Sequence, residues 1–245
     1  NISLRHEEIP SPLRYGEQYP HPIGNSYGEI QLYGTDPYLH PGVDLLGAHF
    51  EDVYAVKDGI VKAILTTSGS LHWRIAIANE QTADSTEGYL YAHLVETSIP
   101  FAIGDTVYKG DIVGTLVPWP VADFTHIHFA RIKAAGIVWN GAWWTTNNPH
   151  IDINGIIDNT PPVFENALGQ DLFAFRNSNG DYLSPEQIQG EVQIISKVHD
   201  IANSGWKIDL FEISYKLFEE GAPSFAVVDN ISFAYDFKLD TYFSG

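Results

Sequence analysis

The tightest constraint on this chain is the shortness of its apolar segments. Between residues 53 and 132 no segment keeps a helical period for three turns. Each apolar run is cut off by a turn-forming group such as Lys57-Asp58-Gly59, Ser68-Gly69-Ser70, Ile103-Gly104-Asp105 or Lys109-Gly110-Asp111. Segments 53–56, 59–65, 73–78, 89–93, 106–108, 112–116 and 126–132 therefore read as strands. An all-β, mainly antiparallel domain follows, because short strands joined by tight turns pair most readily with their neighbours.

Residues 1–35 are rich in proline, glycine and tyrosine and read as an irregular lead-in wrapping a domain at 36–150. Punctuation at 145–162, ending in Asp158-Asn-Thr-Pro-Pro162, marks a break. Beyond it, 190–198, 206–218 and 224–237 alternate apolar with polar, and Val192, Ile194 and Ser196 share a face. A second module, a small immunoglobulin-like β-sandwich at 158–245, is expected there. Asn177-Ser-Asn-Gly-Asp181 has some calcium-loop character, but its oxygen spacing is incomplete and a hairpin turn accounts for it better.

Composition narrows the partners. Of 245 residues, 13 are basic and 31 acidic, a formal charge of −18. Phosphate recognition needs a basic face, so nucleic acid is excluded as a partner, and anionic membrane surfaces are equally poor ones. No apolar run approaches a membrane span, and no membrane insertion is expected. Without cysteine there are neither disulfides nor thiolate ligands. The chain begins at Asn1 without a basic–apolar leader, and a processed or trimmed form is expected. The strand reaching Gly245 leaves room for the native chain to continue.

Three short pieces carry groups capable of chemistry. His40-Pro-Gly-Val-Asp44 places an imidazole and a carboxylate on a turn entering a strand. These are good zinc ligands, although a turn with a solvated aspartate explains the same spacing. In His126-Ile-His128 the two imidazoles leave one face of a strand, while Ile127 and Phe129 point to the opposite, buried face. His93 closes the apolar run Tyr89-Leu-Tyr-Ala-His93-Leu94, where a structural histidine is as good a reading as a catalytic one. A glycine-marked pair of turns, Gly104-Asp105 to Gly114, supplies architecture.

Taken in order, His40-x-x-x-Asp44, Tyr91-Ala-His93-Leu94, the glycine-marked hairpins and His126-x-His128-Phe129 resemble the lysostaphin/LytM-type zinc metallopeptidases, which are peptidoglycan endopeptidases. Val53-Tyr-Ala-Val-Lys-Asp-Gly-Ile-Val61 and Asn25-Ser-Tyr-Gly-Glu29 are similar to segments of that family as well. The resemblance spans about residues 20–133. It implies Zn2+ held by His40, Asp44 and His128, with His93 and His126 flanking the reacting water. It implies hydrolysis of peptide cross-links or stem peptides of bacterial peptidoglycan, in a periplasmic or secreted monomer. The alternatives are a catalytically inactive member serving as a cell-wall-binding or hydrolase-activating module, and a secreted protease acting on Gly-rich proteins. Two departures stand out: a bulky Val117-Pro-Trp-Pro-Val-Ala-Asp-Phe-Thr125 precedes the His-x-His pair, and Ala130 stands where glutamate is usual. His6, His21, His49, His72, His150 and His199 are expected to be solvated or structural.

Overall fold

The computed structural model describes residues 8–14, 22–32, 36–141, 144–154, 160–201, 205–210, 212–218 and 227–234. His6 and His21 lie outside these residues. Ordered along the chain, the strands are β1 (Ile23–Asn25), β2 (Ile30–Gln31), β3 (Tyr38–Leu39), β4 (Val43–Leu46), β5 (Asp52–Tyr54) and β6 (Gly59–Thr66). Then come β7 (Trp73–Ala78), β8 (Thr86–Leu94), β9 (Thr106–Val107), β10 (Ile112–Thr115), β11 (His126–Ala134) and β12 (Thr145–Asn147). Beyond the break lie β13 (Val163–Glu165), β14 (Phe173–Asn177), β15 (Tyr182–Leu183), β16 (Val192–His199), β17 (Glu212–Phe218) and β18 (Val227–Ala234). No α-helix occurs among the described residues, and the chain is all-β with antiparallel sheets.

One eight-stranded sheet organises residues 22–147, in the order β1-β4-β11-β8-β7-β6-β9, with β12 also on β11. Strand β7 falls on residues 73–78, as the apolar run Trp-Arg-Ile-Ala-Ile-Ala suggests. One face of the sheet carries Val43, Leu45, Ile75, Tyr91, Ile127 and Phe129 into the main core. Tyr89 stacks on Phe129 at 5.5 Å, and the Tyr91 hydroxyl accepts the Val56 amide at 2.9 Å. Burying Ile127 and Phe129 fully contributes roughly 1.5–3 kcal/mol each. That burial fixes the register of β11, since a one-residue slip would turn its apolar set to the other face.

Residues 22–32 hold two strands where the sequence showed only an irregular stretch, because strands of two or three residues display no period. The bridge of Leu13 to Val53 and that of Ile9 to Ile153 carry residues 8–14 along the same sheet domain. Residues 160–234 form a four-stranded antiparallel sheet, β13-β16-β14-β15, and a separate pair, β17-β18. The alternation read in 190–198 does not translate into one buried face: Ile194 is 48% exposed. Most side chains of β17 and β18 lie outside the described residues, and the immunoglobulin-like sandwich stays a proposal. The expected hairpin turn is there between β14 and β15. Its Asn177 Oδ1 accepts the amides of Asn179 and Asp181, at 3.0 and 2.9 Å, and Gly180 takes φ of 91°.

Candidate metal centre

Cross-strand register brings the chemical groups together. His128 of β11 sits opposite Asp44 of β4 on one side and Ala92 of β8 on the other. His126 lies two residues back on the same face, opposite Leu46. Asp44 and the two histidines of the His-x-His pair therefore leave the sheet side by side, while Ile127 and Phe129 enter the core. His40 follows β3, its backbone tied by two bonds of 2.8 Å, from Gly28 to its carbonyl and from its own amide to Glu29. The glycine of His-Pro-Gly-Val-Asp is required by close approach. A Cβ at Gly42 would lie 2.7 Å from the Phe129 carbonyl and 2.8 Å from the His128 ring.

Three donor atoms converge. His40 Nε2 is 2.9 Å from His128 Nδ1, and Asp44 Oδ1 lies 3.1 Å from His128 Nδ1 and 3.2 Å from His40 Nε2. Tetrahedral zinc with ligand bonds of ~2.0–2.1 Å separates neighbouring ligands by about 3.3 Å. This triangle therefore fits that ion, and a set of two imidazoles and one carboxylate leaves a fourth position open. Outer contacts fix the donors. The His40 Nδ1–H donates to the Ser26 carbonyl at 3.0 Å, which turns the Nε2 lone pair inward. Asn25 Nδ2 donates to Asp44 Oδ2 at 2.6 Å, leaving Oδ1 for the cluster.

The electrostatics agree with a cation site. Burial opposes charge on Asp44, which is 3% exposed, but the charges of His40 and His126 and hydrogen bonds from His128 and His40 prevail. Its carboxyl is held well below the usual carboxylate range. Burial opposes the charged form of His40 too, and Asp44 outweighs it to raise His40. His128 is pushed down to about 4 by burial, against its hydrogen bond to Asp44.

His93 and His126 flank the triangle. His126 Nδ1–H donates to the Phe124 carbonyl at 2.8 Å, and His93 Nδ1–H to the Leu71 carbonyl at 2.8 Å. Their rings stand 4.6 Å apart, and the His93 ring is 6.0 Å from that of His128. His93 reaches this face through a bulge. Trp73 pairs with Leu94 and Arg74 with Ala92, so His93 is the extra residue, at φ of 66°. Regular alternation would send it with Tyr89 and Tyr91 into the core. Left-handed backbone at a non-glycine residue is uncommon and tends to mark functional sites. Burial and the neighbouring His126 and His128 lower His93 well below the ordinary histidine value.

An open groove of about 690 Å³ runs over these groups. Several of its walls were not singled out by sequence. Trp119, from the bulky loop before β11, packs edge-on against His93 at 4.6 Å and His126 at 4.8 Å. His72 stands 5.3 Å from His93 and lines the groove. Trp206 and Lys207 reach the groove from beyond the break, and Trp206 meets Phe124 at 5.2 Å. Arg74, in an otherwise apolar strand, was the most visible missed signal. Ala130 packs with Leu90, Ala76 and Ile132 in a small apolar cluster next to the site, which accounts for the absence of an acid there. His150 is pushed down to about 4 by burial, with the charge of His40 adding to it.

No family model and no curated protein matches the sequence. Among solved structures, the catalytic domain of the prophage-encoded M23 protein EnpA from Enterococcus faecalis, a point mutant, is 23% identical with a TM-score of 0.40. That match covers 54% of this chain and 90% of that one. The catalytic domain of the antimicrobial peptidase lysostaphin from Staphylococcus simulans gives 21% identity, the same coverages and a TM-score of 0.42. The longer lysostaphin chain gives 14% identity and a TM-score of 0.41 over 93% of this chain and 98% of its own. The solved structures to which this chain is similar include peptidases of the M23 and lysostaphin type.

Proposed function

We propose that this protein is a zinc-dependent endopeptidase, with His40, Asp44 and His128 holding the metal. The observation that carries the reading is the triangle of donor atoms 2.9–3.2 Å apart, built from three separate strands and turns and oriented by Ser26 and Asn25. Bound zinc would supply a Lewis acid that acidifies water and polarises a peptide carbonyl.

The chain's own groups do the rest. The tautomers set by Phe124 and Leu71 leave His126 Nε2 and His93 Nε2 facing the groove. A neutral His93 takes up the proton released as water attacks the peptide carbon, and His126, in the form that carries hydrogen on Nε2 as well as Nδ1, donates to the oxyanion that develops on the carbonyl. The leaving amine recovers the proton. Trp119, packed against both imidazoles, limits their rotation and excludes bulk water from that side. The open groove suits an extended peptide rather than an enclosed small molecule.

The substrate proposed is a cross-link or stem peptide of bacterial peptidoglycan, or a related Gly-rich peptide, met in the periplasm or outside the cell. The ordered motifs around His40, Asp44, His93, His126 and His128 support this. A net charge of −18 disfavours nucleic acid and gives no attraction to an anionic wall, so the substrate would be caught by its peptide. No helix among the described residues is long and apolar enough to cross a membrane.

Purified protein is expected to hold about one zinc per chain and, with it, to release peptides from cell-wall sacculi of defined cross-link chemistry, identified by mass spectrometry. A fully active metal-free sample, or a zinc-loaded one that cuts neither sacculi nor Gly-rich peptides, would sink the reading.

A further inference from the structure

One stretch of the groove wall does not come from the eight-stranded sheet. Trp206 and Lys207 line the groove together with Phe124 and Val121 of the loop before β11. Residues 205–209 are fastened at several points. Ile208 is 6% exposed and belongs to the main core cluster, and its backbone exchanges hydrogen bonds of 2.9 and 3.0 Å with Asp200. Asp209 accepts the Ile30 amide, and Lys207 pairs with Glu165 of β13. These anchors, directly after Trp206, hold it at the groove.

Ring contacts locate Trp206 relative to the metal centre. It meets the Phe124 ring edge-on at 5.2 Å, and Phe124 meets His126 at 4.9 Å. Phe124 reaches toward β1, where a Cβ on Gly24 would lie 2.8 Å from its ring. Trp206 therefore stands on the β1 side of His126 and within ~10 Å of it, a span of about three residues of extended peptide. The two sides of the groove differ in chemistry. From the β6–β7 side come Thr67, Ser68, His72 and Arg74, all polar. On the other side apolar surface is left uncovered: Trp206 is 38% exposed, and Val121, in the same turn as Phe124, is 51% exposed. The charge that Lys207 adds there is compensated by Glu165. Such a surface gains from covering by an apolar group of the substrate, whereas a polar group placed on it would lose water without finding a partner.

We propose that Trp206 is a specificity-determining residue, forming with Phe124 and Val121 a subsite for an aliphatic side chain of the peptide substrate, within about three residues of the bond cut. This rests on the endopeptidase reading above and narrows its substrate class: a peptide carrying aliphatic side chains near that bond, rather than an unbroken run of glycine. The region beyond residue 160 then takes part in choosing the substrate instead of only spacing or tethering the catalytic domain.

The test uses synthetic Ala/Gly heptapeptides with a single Leu walked through every position, and a matched set with Asn, which has nearly the same shape but is polar. Binding to the zinc-loaded full chain is followed by calorimetry and cleavage by mass spectrometry. One or two positions are expected to favour Leu over Asn by roughly tenfold or more. In W206A that preference should fall to within about twofold of parity at the same positions. Equal handling of Leu and Asn everywhere overturns the subsite, as does a preference that survives in W206A. Should W206A not fold, the indole N–H signal of Trp206 in the NMR spectrum of the unaltered protein decides, assigned by its absence from W206F. Movement of that signal with the tightest Leu peptide and not with its Asn counterpart supports the subsite, and an equal response overturns it. The two layers fail differently. Cleavage of both sets without a Leu preference keeps the endopeptidase and removes the subsite, whereas Leu-selective, Trp206-dependent binding without any cleavage keeps the subsite and removes the endopeptidase.

Discussion

The same two strands, β11 and β8, build two very different places on one face of one sheet. Toward the end of β11 that face carries Ala130 and Ile132, which pack with Leu90, Ala76 and Trp139 into a dry apolar cluster. Toward its start the face carries His126 and His128, opposite Asp44 and beneath His93. The strands, their spacing and their alternation are common to both ends. What differs is whether the outward residues satisfy one another by packing or by hydrogen bonds in a cluster that could hold a metal ion. The apolar end stabilises the sheet. The polar end gathers a buried carboxylate and four imidazoles that only a rigid frame can hold together, because each is individually costly to bury.

Substitutions at the two ends should therefore fail in opposite ways. His128→Ala is expected to remove bound zinc and to lower peptide hydrolysis by on the order of 10⁴-fold or more, with the fold retained by circular dichroism. A His128→Ala protein that keeps stoichiometric zinc would break the comparison at its centre. Next in size, His93→Ala should leave the zinc content unchanged and depress kcat by about 10²–10⁴-fold, since in the proposed mechanism the imidazole handles a proton and binds no metal. Loss of zinc in that variant would move His93 into the ligand set. At the apolar end, Ile132→Ala should cost about 2–5 kcal/mol in urea unfolding. Its zinc content and the kcat of the folded fraction should be unaffected; a kcat that falls with stability would mean the two ends are mechanically coupled.

Much of this division was legible in the sequence. Alternation in His126-Ile-His128-Phe129 put both imidazoles on one face and the apolar residues on the other, and the structure has that arrangement. The apolar run before Asn79 defined β7 to the residue. What alternation could not reveal depends on departures from it. The face taken by His93 follows from a bulge, which has no period. The aim of Trp119 follows from a loop whose Thr125 Oγ1 accepts the Trp119 amide at 3.1 Å, a contact no spacing announces. Beyond residue 160 the opposite error arises. Alternation is present in 190–198, but the strand it describes exposes Ile194 and Lys197, because a periodic pattern records that a strand has two faces and not that either is covered.

The bulge at His93 has a consequence for how this protein can be altered. In a strand, glycine is ordinarily worse than alanine, since it surrenders more chain freedom on folding. At φ of 66° the order inverts, because an alanine Cβ crowds the following carbonyl and glycine has none. His93→Gly should therefore unfold later than His93→Ala, by about 1 kcal/mol, although both lack the imidazole. Equal stabilities would mean that the backbone relaxes once the ring is gone. Robustness alone would thus favour glycine here, and under the proposed mechanism the histidine exchanges durability for turnover.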